Sequence, residues 1–149
     1  MKVGLLVLLG DVLKGVVAVV LSRQLGLGEL GQALVGLAAV IGHMYPIYYQ
    51  FKGGKGVATA FGVVCALSLP AALLGIVVMV AVVFLTKYVS LGSMLAGVAI
   101  AVYMGVTDFS YATLVIFAML LLVIWRHSAN IQRLLAGSEN KFCFKPKGS

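Results

Sequence analysis

Apolar residues fall in long runs separated by short polar breaks. Leu5 to Leu21 is the first run and Leu34 to Tyr49 the second. Val57 to Leu85 carries no charge, and Val89 to Val106 and Tyr111 to Trp125 complete the set. A helix needs about 20 apolar residues to cross the hydrocarbon core of a bilayer, about 17 at the short end. The pattern therefore predicts an all-α, polytopic membrane helix bundle. Ser22 to Gln32, with Arg23, Glu29 and three glycines, reads as a connecting loop. The other breaks are Gln50-Phe51-Lys52-Gly53-Gly54-Lys55-Gly56 and Thr107-Asp108-Phe109-Ser110.

Val57 to Leu85 can be read as one long tilted helix or as two helices meeting at Ser68-Leu69-Pro70. Charge decides between them. Cytoplasmic loops carry an excess of lysine and arginine. One basic cluster is Lys52 with Lys55; another runs from Arg126 to the end of the chain, with Arg133, Lys141, Lys145 and Lys147 against the lone acid Glu139. If both clusters face the cytoplasm, an even number of crossings separates them, and a break near Pro70 supplies it. That break also places Lys87 inside and Asp108 outside. The expectation is about six membrane helices in one domain, residues 1–149, with both termini cytoplasmic and a basic cytoplasmic segment over 127–149.

Composition agrees. Of 149 residues, 62% are hydrophobic and only 10% charged, with a mean hydropathy of +1.14. An ordinary soluble domain is about a quarter charged. The net charge of +7 reports orientation in such a chain rather than nucleic-acid binding. Cys65 and Cys143, one in an apolar run and one in the basic tail, fit neither a disulfide framework nor a zinc site. No metal or cofactor is expected, and no cleavable signal peptide is recognisable behind Lys2.

Charges inside the apolar runs are costly, about 2.5–3.5 kcal/mol each on insertion scales. Asp11 and Lys14, spaced i, i+3, share a helix face and can pair. They read either as a self-neutralising packing pair or as the polar wall of a site. The Gly53-Gly54-Lys55-Gly56 stretch is the richest signal. Glycines let the backbone expose N–H groups, and the helix beginning at Val57 adds its positive end, which together suit a phosphate. Lys52 and Lys55 supply charge. The stretch is not a nucleotide P-loop: Tyr49 stands at the first glycine position and Gly56 at the magnesium-ligand position. Beyond the last span, a continued helix would bring His127, Asn130 and Arg133 near one stripe.

Together these segments resemble the bacterial membrane acyl-phosphate:glycerol-3-phosphate acyltransferases. The resemblance rests on Gly10-Asp11-Val12-Leu13-Lys14-Gly15, then Gly42-His43 with Pro46, then Phe51-Lys52-Gly53-Gly54-Lys55-Gly56-Val57-Ala58-Thr59. Arg126-His127, Asn130-Ile131, Arg133-Leu134, Gly137 and Glu139 form the last block. It implies transfer of a fatty acyl group from acyl phosphate to glycerol 3-phosphate at the cytoplasmic face of the bacterial inner membrane. The products would be lysophosphatidate and phosphate, with no coenzyme A, carrier protein or cofactor. The partners it implies are the two substrates and membrane lipid. By the same resemblance, Lys52, Gly53, Gly54, Lys55, Gly56, Thr59, Arg133 and Glu139 bind phosphate or another part of the substrates. His127 and Asn130 orient the glycerol moiety, and His43, His127 or a substrate phosphate takes the hydroxyl proton.

The family's fold has seven helices. Its usual first helix, and the Ser-Gly-Asn-x-Gly-Ala-Thr-Asn segment after it, have no counterpart in this sequence. An inactive truncated homologue or membrane subunit is the alternative this raises. A small-anion transporter is the rival from another class, but the halves of the chain share neither charges nor breaks.

Overall fold

The computed structural model describes residues 2–50 and 53–142. Its elements are α1 (Lys2–Gln24), α2 (Glu29–Met44), a short 3-10 turn (Ile47–Tyr49), α3 (Val57–Leu67), α4 (Leu69–Thr86), α5 (Val89–Thr107), α6 (Tyr111–Arg126) and α7 (Ser128–Leu135). No strand occurs among the described residues, as the hydrophobic pattern predicts.

The apolar run from Val57 does divide, at Ser68 rather than at the proline itself. Ser68 takes an extended backbone (φ −148°, ψ 96°) and its hydroxyl accepts a long bond from the Ala71 N–H, while Pro70 sits in the first turn of α4. A proline there lacks only an N–H that would have no helical partner anyway. The remaining departure is one of length. Among the described residues, α1, α4 and α5 are long and apolar enough to cross a bilayer, and α6 with α7 would be a fourth span across a 57° bend. α2 and α3 are shorter; the 11 residues of α3 reach only about 16 Å at 1.5 Å per residue. Six apolar helices are present, then, but not six full-length crossings.

The molecule is apolar outside and partly polar inside. Leu6 and Leu121 are each 67% exposed and Val106 82%. In water such a surface would aggregate; in lipid it loses nothing, because acyl chains are as apolar as leucine. Ser90, Ser93, Thr113, His127 and Asn130 are buried instead, alongside a core that includes Val40, Met44, Val63, Ile116, Met119 and Val123. With no hydrophobic drive between helices in lipid, close backbone approach holds them together. The α1–α3 crossing shows this plainly. A methyl group on Gly15 would fall on the Thr59 carbonyl, and one on Gly62 on the Val12 carbonyl.

Candidate active site

A cleft of about 1150 Å³ opens between α1, the start of α3, α4, α5 and α6. Its two ends differ in chemistry. One is apolar, walled by Val64, Ile76, Met79, Ile100, Met119 and Leu120. The other is polar, with Asp11, His43, Lys55, Ser93, His127 and Asn130 on its walls and Gly54 and Gly56 beside Lys55. Ser90 and Glu139 also line it.

The glycine-lysine stretch forms the turn that leads into α3. Gly53 donates its N–H to the Met44 carbonyl at 3.1 Å. Gly54 lies against the His43 ring, where any side chain would meet Nε2. Gly56 caps α3 in the left-handed region, φ 79°, which only glycine enters freely. Lys55 projects from this turn into the cleft. Burial holds its ammonium below the ordinary value; Glu139 pulls it back up and Arg133 pushes it further down. Lys52 and Phe51 lie outside the described residues.

The far wall is organised by Glu139. Its Oε1 accepts from Asn130 Nδ2 at 2.6 Å and from the Ser90 hydroxyl at 2.7 Å, and its Oε2 accepts from Arg133 Nε at 2.7 Å. The carboxylate side chain is only 6% exposed. The Asn130 bond foremost, then those from Ser90 and Arg133, hold its pKa down to about 2, against desolvation acting the other way. These bonds tie α7 to α5, and the Phe142 N–H adds a 2.7 Å bond to the Lys87 carbonyl. A group whose pKa falls on folding contributes stability above its ordinary value and loses it as the pH drops through the folded one. Wild type should therefore melt higher than Glu139→Gln at neutral pH, and the gap should close between about pH 4.5 and about pH 2. Thermal melts of both proteins in detergent across that window check this.

His127 stands just beyond α6, at the bend into α7, and is 2% exposed. α6 does not run on as one straight helix through Arg133, but Asn130 and Arg133 still converge, on Glu139. The His127 Nδ1 lies 2.7 Å from the Val123 carbonyl. A carbonyl can only accept, so Nδ1 carries the hydrogen, and in the neutral ring Nε2 keeps its lone pair. Nε2 lies 3.4 Å from the Ser93 hydroxyl, which itself donates to the Ser90 carbonyl at 2.9 Å. Burial, the largest influence, holds the imidazole pKa below its ordinary value.

On the α1 side, Asp11 Oδ1 accepts from Lys14 Nζ at 2.8 Å and stands 3.4 Å from His43 Nδ1. The expected pair forms, but Lys14 is 61% exposed and does not line the cleft, whereas Asp11 and His43 do. Asp11 thus belongs to the site through His43 as much as through Lys14.

Three expected phosphate ligands are placed elsewhere. Thr59 is fully buried against α1, its hydroxyl without a partner among the described residues, and is absent from the cleft wall. The reason is helical geometry: Thr59 is on the α3 face that meets Gly15, roughly opposite its cleft-lining neighbours. Arg133 is engaged by Glu139, and Gly53 is turned onto α2. Sequence reasoning missed Ser90 and Ser93. Two serines spaced i, i+3 in an otherwise apolar span, on one face, were the available signal.

Comparison with known proteins identifies the family. The family model described as glycerol-3-phosphate acyltransferase matches residues 1–137. A glycerol-3-phosphate acyltransferase of Pseudomonas entomophila is 43% identical over 141 residues, 95% of this chain and 74% of that protein. One from Syntrophotalea carbinolica is 48% identical, over 95% of this chain and 73% of its own length. The crystal structure of PlsY (YgiH), an integral membrane glycerol 3-phosphate acyltransferase in its glycerol 3-phosphate form, superposes with a TM-score of 0.90 at 39% identity. That match covers 95% of this chain and 72% of the PlsY chain. A lysophosphatidic acid form gives 0.89. By the family model, the curated relatives and the solved fold alike, this chain belongs to the glycerol-3-phosphate acyltransferase family, as a multi-pass membrane protein.

Proposed function

We propose that the chain transfers a fatty acyl group from acyl phosphate to glycerol 3-phosphate, releasing lysophosphatidate and inorganic phosphate. One observation carries the reading: a single cleft joins an apolar groove to a polar end that holds Lys55, its flanking glycines Gly54 and Gly56, and a buried histidine. The acyl chain lies in the groove. Its phosphate lies against Gly54, Lys55 and Gly56 at the positive end of α3, where ammonium and amide donors stabilise the charge of the departing phosphate. The glycerol hydroxyl attacks the acyl carbonyl carbon, a new ester C–O bond forms, and the bond from carbonyl carbon to phosphate oxygen breaks. The hydroxyl proton passes to His127 Nε2, the ring nitrogen that keeps a lone pair, and then to solvent or product phosphate. Asn130, held by Glu139, orients the glycerol moiety, and Asp11 holds the His43 ring against Gly54. Acyl phosphate is already activated, so no covalent acyl-enzyme is needed. The cleft's polar end faces the cytoplasm, the source of both substrates, with Lys55 and the basic C-terminal segment on that side of the inner membrane.

The donor is tested by substitution. Reconstituted in lipid, the chain should form lysophosphatidate from acyl phosphate and not from the corresponding coenzyme A thioester; turnover with the thioester alone would overturn the assignment. The base is tested by pH. A base must be neutral, and His127 is held below its ordinary value of 6.5, so transfer should fall only as pH drops below about 6.5. His127→Gln should lose about 10²–10⁴-fold in kcat together with that acid limb, as kcat profiles of both proteins would show.

A further inference from the structure

Arg126 stands behind the glycine turn, away from the cleft. Its Nη2 donates to the Gly53 carbonyl at 3.1 Å and to the Gly54 carbonyl at 3.3 Å. Its guanidinium lies 5.2 Å from the centre of the Tyr45 ring, stacked on a residue just beyond α2. Arg126 is the last residue of α6, so it joins the turn to the helix that ends at His127. It is not among the residues that line the cleft, whereas Gly54, Lys55 and Gly56 are.

The direction of those carbonyls fixes the direction of the amides. No peptide is cis among the described residues, and in a trans peptide the C=O and N–H point opposite ways. The peptide that gives Arg126 the Gly53 carbonyl carries the Gly54 N–H; the one that gives it the Gly54 carbonyl carries the Lys55 N–H. With both carbonyls turned back to Arg126, both N–H groups turn the other way. Neither amide meets an acceptor among the described residues.

We infer that Arg126 is a positioning residue, which by gripping these two carbonyls aims the Gly54 and Lys55 amides at the substrate phosphate. This rests on the proposed phosphate-handling role of the cleft. The guanidinium over the Tyr45 ring holds one nitrogen, Nη2, against both carbonyls; a lysine carries the same charge but lacks the planar head that rests on the ring. Arg126 therefore acts through the turn, and its charge alone does not explain its role.

The test uses inorganic phosphate as probe, with the full chain labelled with ¹⁵N-glycine in detergent, so that binding is read without turnover. Phosphate should move the Gly54 amide resonance in wild type. In Arg126→Ala the dissociation constant should rise about tenfold or more, the loss of about one charge-assisted contact, and the Gly54 shift should vanish. Arg126→Lys should stay at least about threefold weaker than wild type. Should Arg126→Ala fail to fold by its melting curve, Tyr45→Leu, which keeps the charge and removes the stack, should weaken phosphate in the same direction. Phosphate affinity in Arg126→Lys equal to wild type would mean that charge alone matters and would overturn the inference, as would a Gly54 amide indifferent to phosphate in wild type. Phosphate binding with the expected variant losses but no acyl transfer would instead overturn the proposed reaction and leave this inference standing.

Discussion

Replacing Lys55 with alanine should reduce acyl transfer by about 10²–10³-fold in kcat, the range seen when a preorganised donor to developing charge is removed. Lys55 is the cleft-lining lysine that the glycine turn itself carries, with Lys141 also on the cleft wall, and its backbone is fixed at both ends. The Gly53 N–H is tied to Met44, and Gly56 sets the left-handed entry to α3. Loss of the ammonium should leave the fold intact, because the side chain projects into the cleft rather than into the core. Melting temperatures close to wild type, alongside the fall in kcat, separate the chemical role from a structural one. Lys55→Arg should recover only part of the rate, since a longer planar head cannot take the same position. An alanine variant within a few-fold of wild type would mean that the amides alone handle the departing phosphate.

The second large effect is on stability. Gly62→Ala puts one methyl group onto the Val12 carbonyl at the α1–α3 crossing, where the obstacle is backbone and cannot rotate aside. Overpacking of this kind costs about 1–3 kcal/mol, occasionally more, and the upper end is expected here. Gly62→Leu should abolish the folded state. Gly10→Ala is the control: it lies in α1, but nothing stands within 4 Å of the added methyl, so its melting temperature should not fall. Because Asp11 sits on α1 and Lys55 just ahead of α3, separating the two helices should also separate the two walls of the cleft. Activity and melting temperature should decline together across the Gly62 series, in contrast to the Lys55 variants.

Most of the architecture was legible because the bilayer imposes one rule: apolar runs of sufficient length become helices. The Val57 to Leu85 run shows how far that goes. Its division near Pro70 followed from charge parity and proline sterics, and the structure places the break at Ser68, where the serine hydroxyl caps α4. The short length of α3 was legible too, since a start at Val57 and a break at Ser68-Leu69-Pro70 leave room only for a short helix, as the 11 residues observed show. Periodicity does not say how deep it sits. The site was partly legible. Asp11, His43, Lys55, His127, Asn130 and Glu139 all line one cleft, although Asp11 and Asn130 are more than a hundred residues apart in sequence. Resemblance could group them, but physical pattern alone could not, because contacts between helices leave no periodic trace. Thr59 marks the limit. It lies within the most specific motif, yet it is fully buried, with its backbone carbonyl against Gly15 on the opposite face of α3. Ser90 and Ser93 mark the converse: small hydroxyls in an apolar span are common, and only the carboxylate of Glu139 and the ring of His127 give them significance.

The most direct measurement is product formation by the chain itself. Purified, reconstituted in lipid and given acyl phosphate with labelled glycerol 3-phosphate, it should form labelled lysophosphatidate and release one phosphate for each acyl group transferred, with both signals lost in Lys55→Ala. Phosphate release without lysophosphatidate, or no product from a chain shown to be folded, would contradict the account.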